Sequence, residues 1–354
     1  MKRVTGRLWG ITLSLVLVMT TILCGCGNTA QGSKSSGDES QDKIQIGMCF
    51  DSFVIERWQR DRDAFVSTAK ELGAEVNIQN ANGDVQQQKQ QIDYFIKKGM
   101  DVIVIVSIDA EELVDSVKKA KEEGIKVIAY DRAISNANAD LYVSFDNAEV
   151  GRLMGESMVK AGLMDKKVLM ICGSPKDQNV PMVKAGFITV MNENKNVVLD
   201  EYYCDGWKAE LAGEYVYTHP DLVAEADAIM CGNDDLASRV VYALSEKRLA
   251  GKKLVAGQDA DLEACQRIVE GTQLMTVYKP IEKLAQKAAE AAVRLAKGEE
   301  LEGDDLSEYY DGSRLIPYLK VEPIAVTKDN IDEVIINSGF HLKEDVYLNV
   351  SKFH

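Results

Sequence analysis

The residues with chemistry to offer recur directly after short runs rich in Val and Ile. Asp51 follows the first run, with Arg57 and Trp58 close behind in "IERWQRDRD" (55–63). Asp131 and Arg132 follow "KVIAY", and Asp177 and Asn179 follow "VLMIC" in "GSPKDQN". Trp207 ends "EYYCDGW", Asn233 follows "IMCG", Asp259 follows "KLVAGQ", and Lys279 follows "MTVY". The set mixes carboxylates, guanidiniums, amides, an ammonium and two indoles. Carboxylates accept hydrogen bonds, guanidinium and ammonium groups donate them, and amides do both. A sugar needs this mixture, because its hydroxyls donate and accept together and its flat C–H faces suit aromatic walls. Buried polar groups in such a site reject ligands that leave them unpaired, which supplies specificity.

Each residue also has a plainer reading. Arg57 suits an i,i+4 pair with Asp61, and Glu56 one with Arg60, on a solvated helix. Trp58 suits a core anchor on a helix face. Asp131 suits a turn, Asp177 or Asp234 a helix cap, Asn233 a turn, and Lys279 an exposed position before Pro280. Their joint placement after strand ends is the stronger signal, since ligands of open α/β sheets lie outside the carboxyl ends of the strands. On that reading "IERWQRDRD" divides: Arg57 and Trp58 face the ligand, while Glu56, Arg60, Asp61, Arg62 and Asp63 form the solvated face. Enzyme signatures are missing. The chain has no GxxxxGK[ST], GxGxxG or GxSxG, and His219, His341 and His354 have no metal-like spacing. Paired carboxylates for glycoside hydrolysis stay open, because acidic residues abound, but a binding role without catalysis, cofactor or metal is expected.

The elements that position these residues alternate regularly from Lys43 onward. Ten apolar runs begin at "IQIGMCF" (44–50) and end at "QLMTVY" (273–278). Continuous runs of this length suit strands buried on both faces. Between them lie helical stretches such as "EELVDSVKKAKEEG" and "DDLASRVVYALSEKR", with apolar residues three and four apart. Repeated βα units give parallel sheets covered by helices, and ten runs exceed one usual sheet. The expected fold class is therefore α/β with two doubly wound parallel-sheet lobes, the spacing shifting after "VSFDNAEVG" (143–151).

The N-terminus has a basic start (Lys2, Arg3, Arg7), an uncharged apolar segment and "LCGC", which describe a secretory signal peptide over 1–25. A cysteine after a small residue there is similar to the bacterial lipobox, which makes Cys26 the lipidation site and puts the rest on the outer face of a cell membrane. Residues 26–42, rich in Ser, Gly and Asp, read as a flexible, lipid-anchored tether. About 310 residues follow, enough for two domains. Losing the three basic residues of 1–25 takes the net charge from −15 to −18, which argues against a nucleic-acid partner. Cys49, Cys172, Cys204, Cys231 and Cys265 are widely spaced and read as buried thiols rather than disulfides or a zinc site.

Taken together, "ERWQRDRDAF", "NANGD", "GIKVIAYDR", "VSFDN", "GSPKDQN", "DGW" and "GQDADLEACQRIVEGTQLMTVYKPI" resemble the periplasmic D-xylose-binding proteins, over about residues 43–320. These are the sugar-binding components of ABC importers, with the type I periplasmic-binding-protein fold. The resemblance implies two lobes joined by three hinge strands and closing on a monosaccharide. Residues 43–146 plus about 280–312 would form the N-terminal lobe, and 147–279 plus about 313–345 the C-terminal lobe. It implies sugar contacts from Arg57, Trp58, Asp131, Arg132, Asn179, Trp207, Asn233, Asp259 and Lys279. The chain departs from the family in "SIDAEEL" after the third strand, where a "PYNG"-like loop is commoner, and in Gln178, where Asn is common. The expected function is a monomeric sugar-binding lipoprotein that carries D-xylose to an ABC permease and its ATPase. The alternatives are another aldose such as glucose or ribose, or docking on a membrane histidine kinase.

Overall fold

A computed structural model describes residues 43–55, 57–303 and 305–350. The expected signal peptide, Cys26 and the tether, and Glu56 of the charged stretch, lie outside the described residues.

The ten Val- and Ile-rich runs form strands in turn. Up to the first crossing, the chain runs β1 (Gln45–Phe50), α1 (Arg57–Glu71), β2 (Glu75–Asn80), α2 (Val85–Lys98), β3 (Val102–Ile105), α3 (Val114–Glu122), β4 (Lys126–Tyr130) and β5 (Leu141–Phe145). The second series runs α4 (Asn147–Lys160), β6 (Lys167–Cys172), α5 (Asn179–Glu193), β7 (Val197–Tyr203), α6 (Ala209–Thr218), α7 (Pro220–Glu225), β8 (Ala228–Cys231), α8 (Asp234–Glu246), β9 (Leu254–Gln258), α9 (Leu262–Glu270) and β10 (Met275–Tyr278). It is followed by α10 (Ile281–Ala296), β11 (Leu306–Tyr310), β12 (Leu315–Val321), β13 (Ile324–Thr327) and α11 (Lys343–Val346).

Among the described residues these strands make two sheets, a seven-stranded one ordered β11-β12-β5-β4-β3-β1-β2 and a six-stranded one ordered β13-β10-β9-β8-β6-β7. β1 to β5 pair in parallel, as do β6 to β10, whereas the β11–β12 hairpin and the β10–β13 pair are antiparallel. Central strands such as β3 and β8 are buried throughout, while the edge strands β2 and β7 are half-buried and correspondingly more polar. Each sheet has a core on both faces. In the first lobe one face packs on α1 and α10, through Phe65, Leu284 and Ala288, and the other on α2 and α3, through Ile92, Phe95 and Val117. In the second lobe one face packs on α6 and α8, the other on α4 and α5.

The chain passes between the lobes three times, at Asp146, at Lys279–Pro280 and at Glu322–Pro323. These crossings are short connections between strands and helices of the two lobes. The last comes later than the expected boundary at about 313. Residues 315–321 belong to the first sheet, because β12 pairs in parallel with β5 and Tyr318 stacks on Tyr142 with ring centroids 4.7 Å apart. The hairpin thereby covers an apolar β5 edge that would otherwise face water. The crossings are tied together: Asp146 caps α4 by accepting from Glu149 N–H at 3.0 Å and takes Lys320 Nζ at 2.8 Å. The five cysteines among the described residues are buried free thiols, and no described helix is long and apolar enough to cross a membrane.

Candidate functional site

Asp51, Asp131, Asn233, Asp259 and Lys279 each sit just beyond the carboxyl end of a parallel strand, and Arg57 opens α1. This placement brings the nine residues for which the resemblance implies sugar contacts, together with Asp177 but not Asp51, to the lining of one cavity of about 500 Å³, its solvent-open part included, between the two lobes.

In the first lobe Asp131 takes a left-handed backbone, φ 60°, which is unfavourable for a residue with a Cβ. Neighbouring strand residues hold it there. Its N–H donates to Val143 O at 2.7 Å, and its carbonyl accepts from Ser144 Oγ at 2.6 Å. Arg57 is only 3 % exposed. Its Nε donates to Asp61 Oδ2 at 3.1 Å, its Nη2 lies 2.9 Å from Asp131 Oδ2, and its Nη1 lies 3.7 Å from Asp259 Oδ1. Asp61 therefore leaves the solvated face expected for it. It is fully buried and also accepts from the Tyr130 hydroxyl. The i,i+4 pair is real, but it holds the guanidinium in the core. Trp58 is a core residue that also borders the cavity. It belongs to the first-lobe core beside Phe50, it lines the cavity, and the guanidiniums of Arg57 and Arg132 lie 4.4 and 5.4 Å from its ring centroid, within cation–π range.

In the second lobe Trp207 follows Gly206 in a tight turn, both with positive φ. Its indole lies flat against the ends of β6 and β8, where only glycines fit. A Cβ on Gly173 would sit 2.1 Å from the ring, and one on Gly232 3.2 Å from it. Asp177 fixes the indole by accepting from Nε1 at 3.1 Å. Asn233 caps α8 by accepting from Leu236 N–H at 2.9 Å, so its turn-type reading and its cavity position coexist. Asp259 again has positive φ, 99°, and Lys279 Nζ lies 3.1 Å from its Oδ1.

The lobes meet across the cavity. Arg132 Nε lies 2.7 Å from Asp177 Oδ2, while its Nη1 donates to Asp51 Oδ2 at 2.7 Å. Asn179 Nδ2 donates to Asp131 O at 3.1 Å, and the Tyr142 hydroxyl lies 3.1 Å from Asn179 Oδ1. Further out, Arg60 of α1 donates to Phe340 O at 3.0 Å and stacks over the Phe340 ring of the C-terminal segment.

Electrostatics separate the buried carboxyls. Burial would push Asp131 up, but Arg57, Lys279 and Arg132 outweigh it and hold it below its ordinary value of 3.8. Burial prevails at Asp61 and Asp177, which are raised despite Arg57 and Arg132 respectively. A carboxyl lowered in the folded state contributes stability that is complete above its unfolded value and is lost as the pH falls through the folded one. Asp131→Asn protein is thus expected to lose less stability than wild type on acidification below about pH 4, as read from urea unfolding midpoints; parallel pH profiles would contradict this.

Four polar atoms of cavity-lining residues, Trp58 Nε1, Asp131 Oδ2, Gln258 Oε1 and Asp259 Oδ1, are buried without an aligned hydrogen-bond partner among the described residues. The two carboxylate oxygens have cations nearby, Arg57 and Lys279, but accept no well-aligned bond. Sequence reasoning missed Asp61, Tyr130 and Gln258, while Asp177, noted after its strand, is absent from the residues for which the resemblance implies sugar contacts yet lines the cavity. Gln258 had a signal, since it precedes Asp259 at the end of β9. Asp61 and Tyr130 had none beyond the i,i+4 spacing, because burial decides their role.

A family model described as "Periplasmic binding protein domain" matches residues 46–300. The chain is 44% identical over 320 residues to a D-xylose-binding periplasmic protein of Haemophilus influenzae, covering 88% of this chain and 95% of that protein. It is 41% identical to one of Escherichia coli, covering 86% and 93% respectively. Among solved structures it resembles an ABC transporter solute binding protein from Clostridium phytofermentans with bound β-D-glucose, at TM-score 0.78 and 28% identity, covering 85% of this chain and 99% of that one. With the two-lobed fold and a polar interlobe cavity, these likenesses show that the chain belongs to the periplasmic binding protein family.

Proposed function

We propose that this protein binds a monosaccharide, D-xylose foremost, between its lobes and delivers it to the permease of an ABC importer without covalent chemistry. The polar lining of the cavity carries this reading. Trp58 Nε1 and Gln258 Oε1 are buried without a hydrogen-bond partner among the described residues, at about 1–3 kcal/mol for each bond left unmade, and the carboxylates of Asp131 and Asp259, held by Arg57 and Lys279, line the same cavity. A polyol supplies donors and acceptors together, and Trp58 and Trp207 offer its C–H faces a wall from each lobe. The names of the two relatives above 40% identity favour xylose, and the glucose-bound neighbour keeps hexoses in the comparison. Binding stabilises the closed form only by its differential affinity for it, which the facing ligand groups of both lobes supply. The basic and apolar start and "LCGC" support export and anchoring through Cys26 to the outer face of the membrane.

A thermal-shift panel of pentoses and hexoses tests the assignment. Ligand that binds only the folded state raises the apparent stability by about 2.7 kcal/mol at a hundred times its Kd. D-xylose is expected to give the largest shift; a larger shift with glucose or ribose would reassign the sugar.

A further inference from the structure

The motif "GTQLMTVYKP" places Gln273 and Thr276 beside the site without placing either in the cavity. Both turn inward, to Asp234. This aspartate follows the cavity residue Asn233 and is fully buried. Gln273 Nε2 donates to its Oδ1 at 2.8 Å, Thr276 Oγ1 to its Oδ2 at 2.6 Å, and the Asp261 N–H to the same oxygen at 3.2 Å. The Thr276 hydroxyl in turn accepts from the Ala260 N–H at 3.1 Å. Arg267 Nε donates to Gln273 Oε1 at 2.9 Å and closes the network from α9.

The backbone held this way is the turn that carries Asp259. Asp259 and Ala260 both have positive φ, 99° and 56°, a conformation non-glycine residues keep only when their surroundings over-determine it. Two successive N–H groups of that turn, at Ala260 and Asp261, are fixed by Thr276 and Asp234. The Asp259 carboxylate, next in the chain, is thereby presented to Lys279, to Arg57 of the opposite lobe and to the cavity. Space for the carboxylate is reserved on β9: a Cβ on Gly257 would lie 2.1 Å from Asp234 Oδ1. Keeping this group buried is costly, since burial pushes its carboxyl up to about 7 against the hydrogen bonds of Thr276 and Gln273 and the charge of Arg267.

We propose that Asp234, acting through the Thr276 hydroxyl, is a positioning residue for sugar affinity: it holds the Asp259 turn in the left-handed geometry that aims the carboxylate at the ligand. The inference rests on the sugar-binding reading of the cavity. Asp234 supports the lower lip of the site without touching the ligand, and the spacing between the "GNDD", "GQDAD" and "GTQLMT" motifs reflects one network rather than three loops.

Thr276→Val is the primary test, because it removes one hydroxyl and keeps the shape, whereas Asp234→Ala risks the fold. Calorimetric titration with D-xylose is expected to show affinity weakened about tenfold, with Thr276→Ser restoring it. In an Asp259→Asn background the same Thr276→Val change is expected to cost no more than about twofold, because the group it positions is already altered. A role in folding alone would weaken binding equally in both backgrounds, and that result overturns the proposal. So does folded Thr276→Val protein with unchanged affinity. Wild-type protein that binds no aldose overturns the sugar-binding reading and this inference together, while wild-type binding with an indifferent Thr276→Val variant overturns only the inference.

Discussion

Arg57→Ala is expected to lower the unfolding free energy by about 3–5 kcal/mol and to abolish detectable sugar binding. Arg57 is the cation shared by Asp61, Asp131 and Asp259, and its charge is stabilised by all three against a large burial penalty. Breaking a buried pair by removing one partner leaves uncompensated charge, which costs far more than the net worth of the pair. Here three carboxylates lose their common partner: Lys279 still pairs with Asp259, Lys279 and Arg132 still act on Asp131, and Asp61 keeps the Tyr130 hydroxyl. Arg57→Lys is expected to recover only part of the loss, because a single ammonium cannot span partners that the planar fork reaches at once. Urea unfolding checks the stability and calorimetry the binding. A loss under about 1 kcal/mol would mean that the cluster is solvated and the buried-network account is wrong.

Gly173→Ala is the second large effect. The added methyl would meet the Trp207 ring at 2.1 Å, and the backbone beneath cannot retreat, because β6 is paired on both sides with β7 and β8. The indole must swing away, losing its bond to Asp177 and its contact with the second-lobe core. Overpacking of this kind costs about 1–3 kcal/mol, expected here mainly as lost sugar affinity, since Trp207 is only half-buried and other groups fill the core. Trp207→Ala should reproduce the affinity loss and abolish the additional effect of Gly173→Ala. Full affinity in Gly173→Ala would show that the indole is no wall of the site.

Much of this site is legible in the sequence because the fold class fixes where strands end. Once runs such as "KVIAYD" and "DAIMCG" are recognised as parallel strands, Asp131 and Asn233 must stand at their carboxyl ends, and strand ends of two such sheets converge. What the sequence does not carry is which side of a helix an ionised residue faces. Asp61 and the exposed Asp63 both follow an arginine in the same charged run, and only packing against Arg57 and Tyr130 separates them. The last crossing between lobes was misplaced for a similar reason. "LIPYLKV" suits an edge strand of either sheet, and the choice is made by the stacking of Tyr318 on Tyr142, which is non-local. The Asp234 network likewise joins residues 39 and 42 positions apart, invisible to any periodicity.

The central claim is that both lobes contribute to one sugar site. Calorimetric titration of residues 27–354 with D-xylose, for wild type and for one variant in each lobe, Asp131→Asn and Asp259→Asn, tests it most directly. Single-site binding by wild type, weakened about tenfold or more by each substitution, is the predicted result. Binding that survives either substitution unchanged, or no heat at millimolar sugar, would contradict it.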